Sequence, residues 1–287
     1  MNARLIEALS LVLALFAAAC SDDFDPSSRV SELRLLAVQA DHPFALPGDD
    51  VHLTALAFDP EARPLTWAWG VCLEPSSSVA LDCLRALSFD ALTIAPDRTE
   101  HDLVVPETDA GYVGVAVVVC PGEIVRGDTQ GVPLACVDVD GVRLPLSEFE
   151  LGLKRINVRE PSENENPAIA EVLWDGAPWP EDEIKLDACE RTKNGACDAW
   201  TEHTVEVRAP GASEQSVDRD RNPVTEQAVV QMYATGGEFE DDVRLVDTAK
   251  TTWRARREDA GGMIKFWFVV RDDRGGVSWV TRRISIP

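Results

Sequence analysis

The sequence predicts an all-β protein with two β-sandwich domains, and three observations support this fold class. Short segments with strand signals recur along the chain, each bounded by Pro, Gly or Asp. No amphipathic helical pattern extends beyond about two turns. The two halves of the chain also resemble each other in the order of their segments. Short strands at this spacing are typical of sandwiches and barrels.

Residues 1–19 are predicted to be a cleavable signal peptide. Leu9 to Phe16 form an apolar core that is too short to span a bilayer, and small residues follow it. Cys20 stands directly after Ala17-Ala18-Ala19, an arrangement that resembles a lipobox. The resemblance implies lipidation of Cys20 and a membrane-anchored mature protein. The same alanines also fit an ordinary signal-peptidase site, which would give a soluble exported protein.

The anchored chain is expected to begin with a lipidated tether, residues 20–30, rich in Ser and Asp. No later segment is long and apolar enough to span a membrane, so the lipid is the expected contact with the bilayer. The favoured location is the outer membrane or cell surface. Asp22 stands where enterobacterial lipoproteins carry an inner-membrane retention residue, so the periplasmic face of the inner membrane is the alternative.

Two sandwich domains are predicted, one over residues 31–159 and one over residues 168–287. Residues 160–167 are polar, acidic and bounded by prolines, and are predicted to form the linker. The best helix candidate is Val79 to Leu87. Predicted strands in the first domain are Glu32–Val38, Val51–Phe58, Leu65–Cys72, His101–Val105, Tyr112–Cys120 and Phe149–Val158. Those in the second are Ile169–Trp174, Ile184–Cys189, His203–Ala209, Ala228–Ala234, Thr252–Arg256, Met263–Arg271 and Val277–Ile286.

Internal similarity suggests two copies of one unit. Glu32–Val38 followed by Val51–Ala55 opens the first copy, and Ile169–Trp174 followed by Ile184–Ala188 opens the second. The closing strands, around Ile156 and Ile284, also correspond.

Charge and cysteine usage restrict the class of function. The chain carries 50 acidic and 27 basic residues, a formal charge of −23, which argues against nucleic acid as a partner. Six cysteines remain after Cys20, an even number that predicts disulfides in an exported protein, with 15 possible connectivities. The pairs adjacent in sequence each close a short loop between predicted strands: Cys72 with Cys83, Cys120 with Cys136, and Cys189 with Cys197. No spacing among them suits zinc, and no metal or cofactor is expected.

Two motifs resemble immunoglobulin-like and PKD-like domains. Ala55 to Trp69 is similar to the pattern A-x-D-P-x-G-x-P-L-T-x-x-W, with Ala62 in place of the glycine. Phe266 to Val277 is similar to a final hairpin of the form V-x-D-x-x-G, where Asp binds turn amides and Gly permits positive φ. Taken whole, the chain resembles lipoproteins of the myxobacterial type with such domains. That resemblance implies cell-surface or periplasmic residence and no known activity.

The immunoglobulin-like topology supports the disulfide prediction. It places the end of strand C, at Cys72, and the end of strand F, at Cys120, at opposite poles, where they cannot bridge. Cys136, near the start of strand G, can instead pair with Cys120 and close the excursion between strands F and G.

Trp67 and Trp69 share one face of a strand, and core packing is the favoured interpretation for at least one of them. Trp174 and Trp179 lie near an Asp-Gly turn, where an exposed pair would suit a sugar or a protein contact. Asp138-Val139-Asp140-Gly141 and Asp218 to Asn222 carry alternating oxygen ligands, and solvated turns are favoured over calcium sites at both.

No catalytic motif is present. The four histidines are scattered, and no H-E-x-x-H, G-x-S-x-G, S-x-x-K or phosphate-binding glycine motif occurs. The predicted function is therefore a non-catalytic binding or structural module that contacts an envelope protein or glycan through loops at one pole. The excursion from Pro121 to Glu148 is the first loop to test. A carbohydrate-binding accessory protein and, below it, a hydrolase with an unrecognised site are the alternatives.

Overall fold

The computed structural model describes residues 26–286, apart from 74–78, 128–130, 182, 188, 192, 194–196, 214, 218–221 and 257–258. The described chain is almost entirely β-structure arranged as two sandwiches in tandem, which confirms the predicted fold class. Cys20 and the predicted signal peptide lie outside the described residues, as do positions 218–221 of the second candidate calcium loop.

The described part of the first sandwich contains ten strands and one α-helix. Their bounds are β1 Arg34–Ala40, β2 Phe44–Ala45, β3 Asp50–Phe58, β4 Thr66–Leu73, α1 Ala80–Arg85, β5 Thr93–Pro96, β6 Glu100–Val104, β7 Tyr112–Cys120, β8 Glu123–Arg126, β9 Leu134–Val137 and β10 Glu150–Val158. One sheet has the order β1-β3-β6, and the other has the order β2-β10-β7-β4-β5. Strands β8 and β9 form a separate hairpin. Helix α1 confirms the predicted helix, and a 3-10 helix follows at Phe89–Ala91.

The second sandwich contains fourteen described strands. Their bounds are β11 Glu171–Trp174, β12 Ala177–Pro178, β13 Ile184–Lys185, β14 Cys189–Arg191, β15 Cys197–Trp200, β16 Glu202–Arg208, β17 Gln215–Val217, β18 Pro223–Thr225, β19 Val229–Ala234, β20 Glu238–Phe239, β21 Val243–Leu245, β22 Lys250–Arg254, β23 Met263–Arg271 and β24 Val277–Ser285. The two main sheets have the orders β12-β11-β16-β22-β20 and β13-β24-β23-β19-β21. Short 3-10 helices lie at Pro161–Glu163 and Val246–Thr248.

The two sandwiches repeat one topology, with a correction to the predicted alignment. Strands β2 and β13 pair in parallel with the last strand of their own sandwich, β10 and β24 respectively. Ile184–Lys185 therefore corresponds to Phe44–Ala45, and the prediction that it matches Val51–Ala55 is wrong. The true equivalent of β3 is β16, which pairs with β11 as β3 pairs with β1. The segments at Ile184 and at His203 both have the pattern of a short strand, so the sequence pattern alone does not show which of them is equivalent to β3.

The sandwiches pack face to face instead of end to end. In β1 and β3, Leu36 and Leu56 point away from the core of the first sandwich and contact Trp267 and Tyr233 of the second. Val269 and Val277 meet Ala37 in a neighbouring cluster. Part of the outer face of the three-stranded sheet, at β1 and the end of β3, is thus covered by the sheet β13-β24-β23-β19-β21 of the second sandwich. Four sheets are stacked in one body.

Burial on both faces explains the continuous apolar runs in β7 and β23. Valines at 113, 115, 117 and 119 face the first core, while Ala116, Val118 and Cys120 face a second cluster on the outer side of the same sheet. In β23, Phe266 and Phe268 face the second core, while Trp267 and Val269 face the other sandwich. Strands that are buried on both faces lose the alternation of apolar and polar residues.

The segment from residue 26 to residue 30 is bound to the second sandwich. The Val30 amide donates to the Ala234 carbonyl at 2.9 Å, the Ala234 amide donates to the Ser28 carbonyl at 2.9 Å, and Arg29 forms a parallel bridge with Ala234. Val30 and Ser28 are buried. The prediction of a tether through residue 30 is therefore wrong for residues 26–30, because Val30 has apolar surface to bury between the two sandwiches.

Candidate functional site

The excursion between β7 and β10, residues 121–148, is the largest departure from a plain sandwich in the first domain. Its hairpin, β8–β9, folds back onto the outer face of the five-stranded sheet. Ile124, Leu134 and Cys136 are buried there with Leu84 of helix α1 and Phe149. The excursion therefore has a small apolar core of its own, which holds its outer part in a fixed position.

Two predicted disulfides are present at the base of this layer, which confirms those pairings. Cys120 bonds to Cys136 with a Cα–Cα distance of 5.7 Å, and Cys72 bonds to Cys83 with a distance of 5.6 Å. The register of β4 against β7 pairs Thr66 with Cys120 and Cys72 with Gly114, so Cys72 and Cys120 lie at opposite ends of the sheet. The topological reason for the pairing therefore holds.

The third predicted disulfide is only partly described. Cys189 is disulfide-bonded, and β14 and β15 pair as an antiparallel hairpin that carries Cys189 and Cys197. The side chain of Cys197 lies outside the described residues, so its pairing stays a prediction.

The tip of the excursion exposes three apolar side chains within eight residues. The exposed fractions are 91% for Val139, 59% for Val142 and 60% for Leu146. Asp138 holds the turn, because its Oδ1 accepts hydrogen bonds from the amides of Asp140 at 2.9 Å and Val142 at 2.8 Å. The tip (residues 138–146) is thus an apolar projection on an ordered turn.

Asp138 therefore acts as a turn residue, in agreement with the interpretation of this segment as a solvated turn. Over the described part of the chain, no group of three or more His, Cys, Asp or Glu residues is placed to hold a metal ion.

Trp174 and Trp179 are buried, with exposed fractions of 8% and 3%. The prediction that they form an exposed aromatic pair is wrong. Their ring centroids lie 4.5 Å apart, edge to face, and both pack on Phe266 in the second core. The Asp-Gly turn after Trp174 folds β12 back over the sandwich, which covers the rings. Trp67 and Trp69 are also buried, which confirms the core interpretation.

Three of the four histidines, His52, His101 and His203, have rings in contact with carboxylates or other rings. Nδ1 of His203 lies 2.7 Å from Asp175 Oδ2, and its ring stacks on Trp174. Nδ1 of His52 lies 2.8 Å from Asp102 on the exposed face of the three-stranded sheet, and this hydrogen bond raises the pKa of His52. No serine, threonine or cysteine side chain is hydrogen-bonded to these rings among the described residues.

The junction of the two sandwiches contains a cleft of about 430 Å³, which the sequence did not reveal. Strands β1 and β10 form one side, and the turn between β23 and β24 forms the other. Lys154 lies in this cleft with an exposed fraction of 5%. One signal was available: Lys154 has the same strand parity as the core residue Ile156, so its side chain had to point inward.

Polar contacts fix the geometry of the junction. Lys154 donates to the Gly275 carbonyl, and Asn157 Nδ2 donates to the Arg274 carbonyl at 2.8 Å. Asn166 Nδ2 donates to the Ala40 carbonyl at 2.7 Å, and its Oδ1 accepts from the Val277 amide at 2.9 Å. The connection between the sandwiches is thus tied to both of them.

Comparisons with known proteins give weak likenesses only. No protein-family model matches the chain, and no curated protein matches it. Among solved structures, the D0–D1 domain of intimin is 12% identical with a TM-score of 0.24, over 88% of this chain and 98% of that one. A protein of unknown function from Porphyromonas gingivalis W83 is 12% identical with a TM-score of 0.26, over 89% and 100%. Salmonella alpha-2-macroglobulin reacted with methylamine is 11% identical with a TM-score of 0.23, over 92% and 17%. Likenesses at this level do not place the chain in a family.

Proposed function

We propose that this protein is a lipid-anchored, non-catalytic binding module of the bacterial envelope, which contacts a partner protein through the tip of the excursion. The observation that carries the proposal is the contrast within the excursion. Its base is fixed by the Cys120–Cys136 disulfide and a buried cluster, whereas its tip exposes Val139, Val142 and Leu146. Exposed apolar side chains that are grouped on an ordered loop are typical of protein contact sites.

A protein partner is favoured over a glycan. Carbohydrate contacts depend strongly on exposed aromatic rings, and the predicted pair, Trp174 and Trp179, is buried in the core. The tip offers aliphatic side chains instead, flanked by Asp138 and Asp140. A shallow apolar pocket with a basic rim on the partner would complement this surface.

Anchoring at Cys20 would hold both sandwiches close to the bilayer. Five residues, 21–25, lie between Cys20 and Pro26, the first residue that the structure describes. The six Cα–Cα steps from Cys20 to Pro26 span at most about 21 Å. Among the described residues, no helix is long and apolar enough to cross a membrane.

Two experiments test the proposal. Labelled palmitate should enter the native protein and not the Cys20→Ser variant, and labelling of neither would contradict the anchor. For the contact, a photo-crosslinking amino acid is placed at Val142 in living cells and, as a matched control, at Val104, which is 61% exposed on β6. A discrete protein adduct is expected at Val142 and not at Val104. Equal adducts at both positions, or none at Val142, would rule out the tip as the contact surface.

A further inference from the structure

The cleft at the junction of the sandwiches has the size and polarity of a ligand site. Its volume of about 430 Å³ lies within the range of small-molecule pockets. Leu35 and Val38 of β1 supply an apolar wall, while Lys154 and Arg271 supply cations. An apolar wall with a few convergent polar groups orients a small molecule and selects its chemistry.

Lys154 has more hydrogen-bonding capacity than the folded chain uses. Its ammonium group has three donors, and its one hydrogen bond among the described residues goes to the Gly275 carbonyl. No carboxylate of a described residue lies within 4.0 Å of it. Buried ammonium groups are normally paired with a negative charge. Asp272 favours the charged form of Lys154 from beyond ion-pair distance, so the ammonium lacks a direct carboxylate contact among the described residues.

Cations outnumber carboxylates in the lining of the cleft. Four cations, Lys154, Arg155, Arg271 and Arg274, line it together with two carboxylates, Asp272 and Asp273. Asp272 is engaged with its own turn, because its Oδ1 accepts from the amides of Arg274 at 2.9 Å and Gly276 at 2.7 Å. Arg274 pairs with the buried Glu226. The lining therefore carries an excess of positive charge on a chain with a formal charge of −23.

We infer that this cleft binds a small ligand through a carboxylate group that accepts hydrogen bonds from the Lys154 ammonium. The ligand's apolar part lies against Leu35 and Val38. A carboxylate has two oxygens and about four lone-pair sites, so it satisfies the two donors of Lys154 that have no acceptor among the described residues. The volume of about 430 Å³ admits a ligand the size of a capped amino acid.

The probe for this site is N-acetylglycine, with N-acetylglycinamide as the uncharged isostere, measured by isothermal titration of the full chain at pH 7. We expect saturable binding of the acid and binding at least tenfold weaker for the amide, since a hydrogen bond to a charged group contributes a factor of about 10 to 100. Lys154→Met should weaken binding of the acid at least tenfold. Lys185→Met, which removes an exposed lysine on β13, should leave it unchanged.

The wild-type protein provides a second test that needs no substitution. Burial lowers the pKa of Lys154 to about 8, so the ammonium is largely present at pH 7 and largely absent at pH 9. Binding of N-acetylglycine should therefore weaken about tenfold over that interval. Equal binding of acid and amide, affinity independent of pH or of Lys154, binding of inorganic phosphate in place of the acid, or no binding at all would overturn the inference.

Discussion

Lys154 makes the stability of this protein rise with pH in the alkaline range. In the folded chain, burial lowers its pKa from 10.5 to about 8. Between those two values the unfolded chain binds a proton that the folded chain does not. Stability therefore rises with pH over this interval, and the cost of burying the ammonium is fully present below pH 8.

The magnitude follows from the size of the shift. A change of about 2.5 pKa units corresponds to about 3 kcal/mol at 25 °C. Lys154→Met removes the titrating group and keeps an unbranched side chain that is one heavy atom shorter. The free energy of unfolding of the variant, relative to wild type, should therefore fall by about 3 kcal/mol between pH 7 and pH 10.5. The loss of the hydrogen bond to Gly275 changes the stability of the variant by the same amount at pH 7 and at pH 10.5, so it does not affect this difference.

The assay is urea denaturation, monitored by tryptophan fluorescence at half-unit steps from pH 7 to pH 10.5. Lys185→Met is the control for the general effect of losing a lysine, because that side chain is exposed. Its stability should track the wild type at every pH. Parallel curves for wild type and Lys154→Met would refute the reasoning, because they would mean that Lys154 titrates alike in the folded and unfolded chains.

The remaining predictions concern the turn, the excursion and the N-terminal segment. Ala62 has φ of 52°, so Ala62→Gly should raise the free energy of unfolding by about 1 kcal/mol in urea titrations. Replacing Cys120 and Cys136 with alanine opens a loop with a sequence separation of 16 and should lower the free energy of unfolding by about 3 kcal/mol. The melting temperature should fall, and the part of the reductant effect that is due to this disulfide should be lost. Val139→Asp should change stability by less than about 0.5 kcal/mol in calorimetry, because the side chain is exposed. Val30→Ala should lower the free energy of unfolding by about 2 kcal/mol and speed hydrogen exchange of the Ala234 amide, whose acceptor is the Ser28 carbonyl. An unchanged exchange rate would contradict the binding of residues 26–30 to the second sandwich.

Local turn chemistry could be predicted from the sequence. The resemblance placed Asp59 at a turn, and Asp59 accepts hydrogen bonds from the amides of Glu61 and Arg63 and from the Arg63 side chain. Ala62, which replaces the usual glycine, adopts the positive φ that a glycine would provide. Asp272 and Gly275 form the second predicted turn in the same way. These features depend on a few neighbouring residues, which is why the chain order alone reveals them.

The arrangement of the sandwiches could not be read from short segments. Trp267 looks like a core residue of its own domain, yet it packs on Leu36 of the other one. The uninterrupted apolar run of β7 was a signal for burial on both faces, but it does not identify the covering layer. The turn that follows Trp174 predicts that its ring is exposed. The turn instead returns the chain over the ring, a tertiary effect that no local pattern encodes.

Membrane fractionation with protease treatment of intact cells, comparing the native protein with Cys20→Ser, tests the central claim most directly. The proposed envelope lipoprotein predicts that the native protein is found with membranes and that the variant is released. Cleavage of the native protein by external protease would place its partners outside the cell, and protection would place them in the periplasm. Recovery of both forms in the soluble fraction would contradict the anchor and the proposed function together.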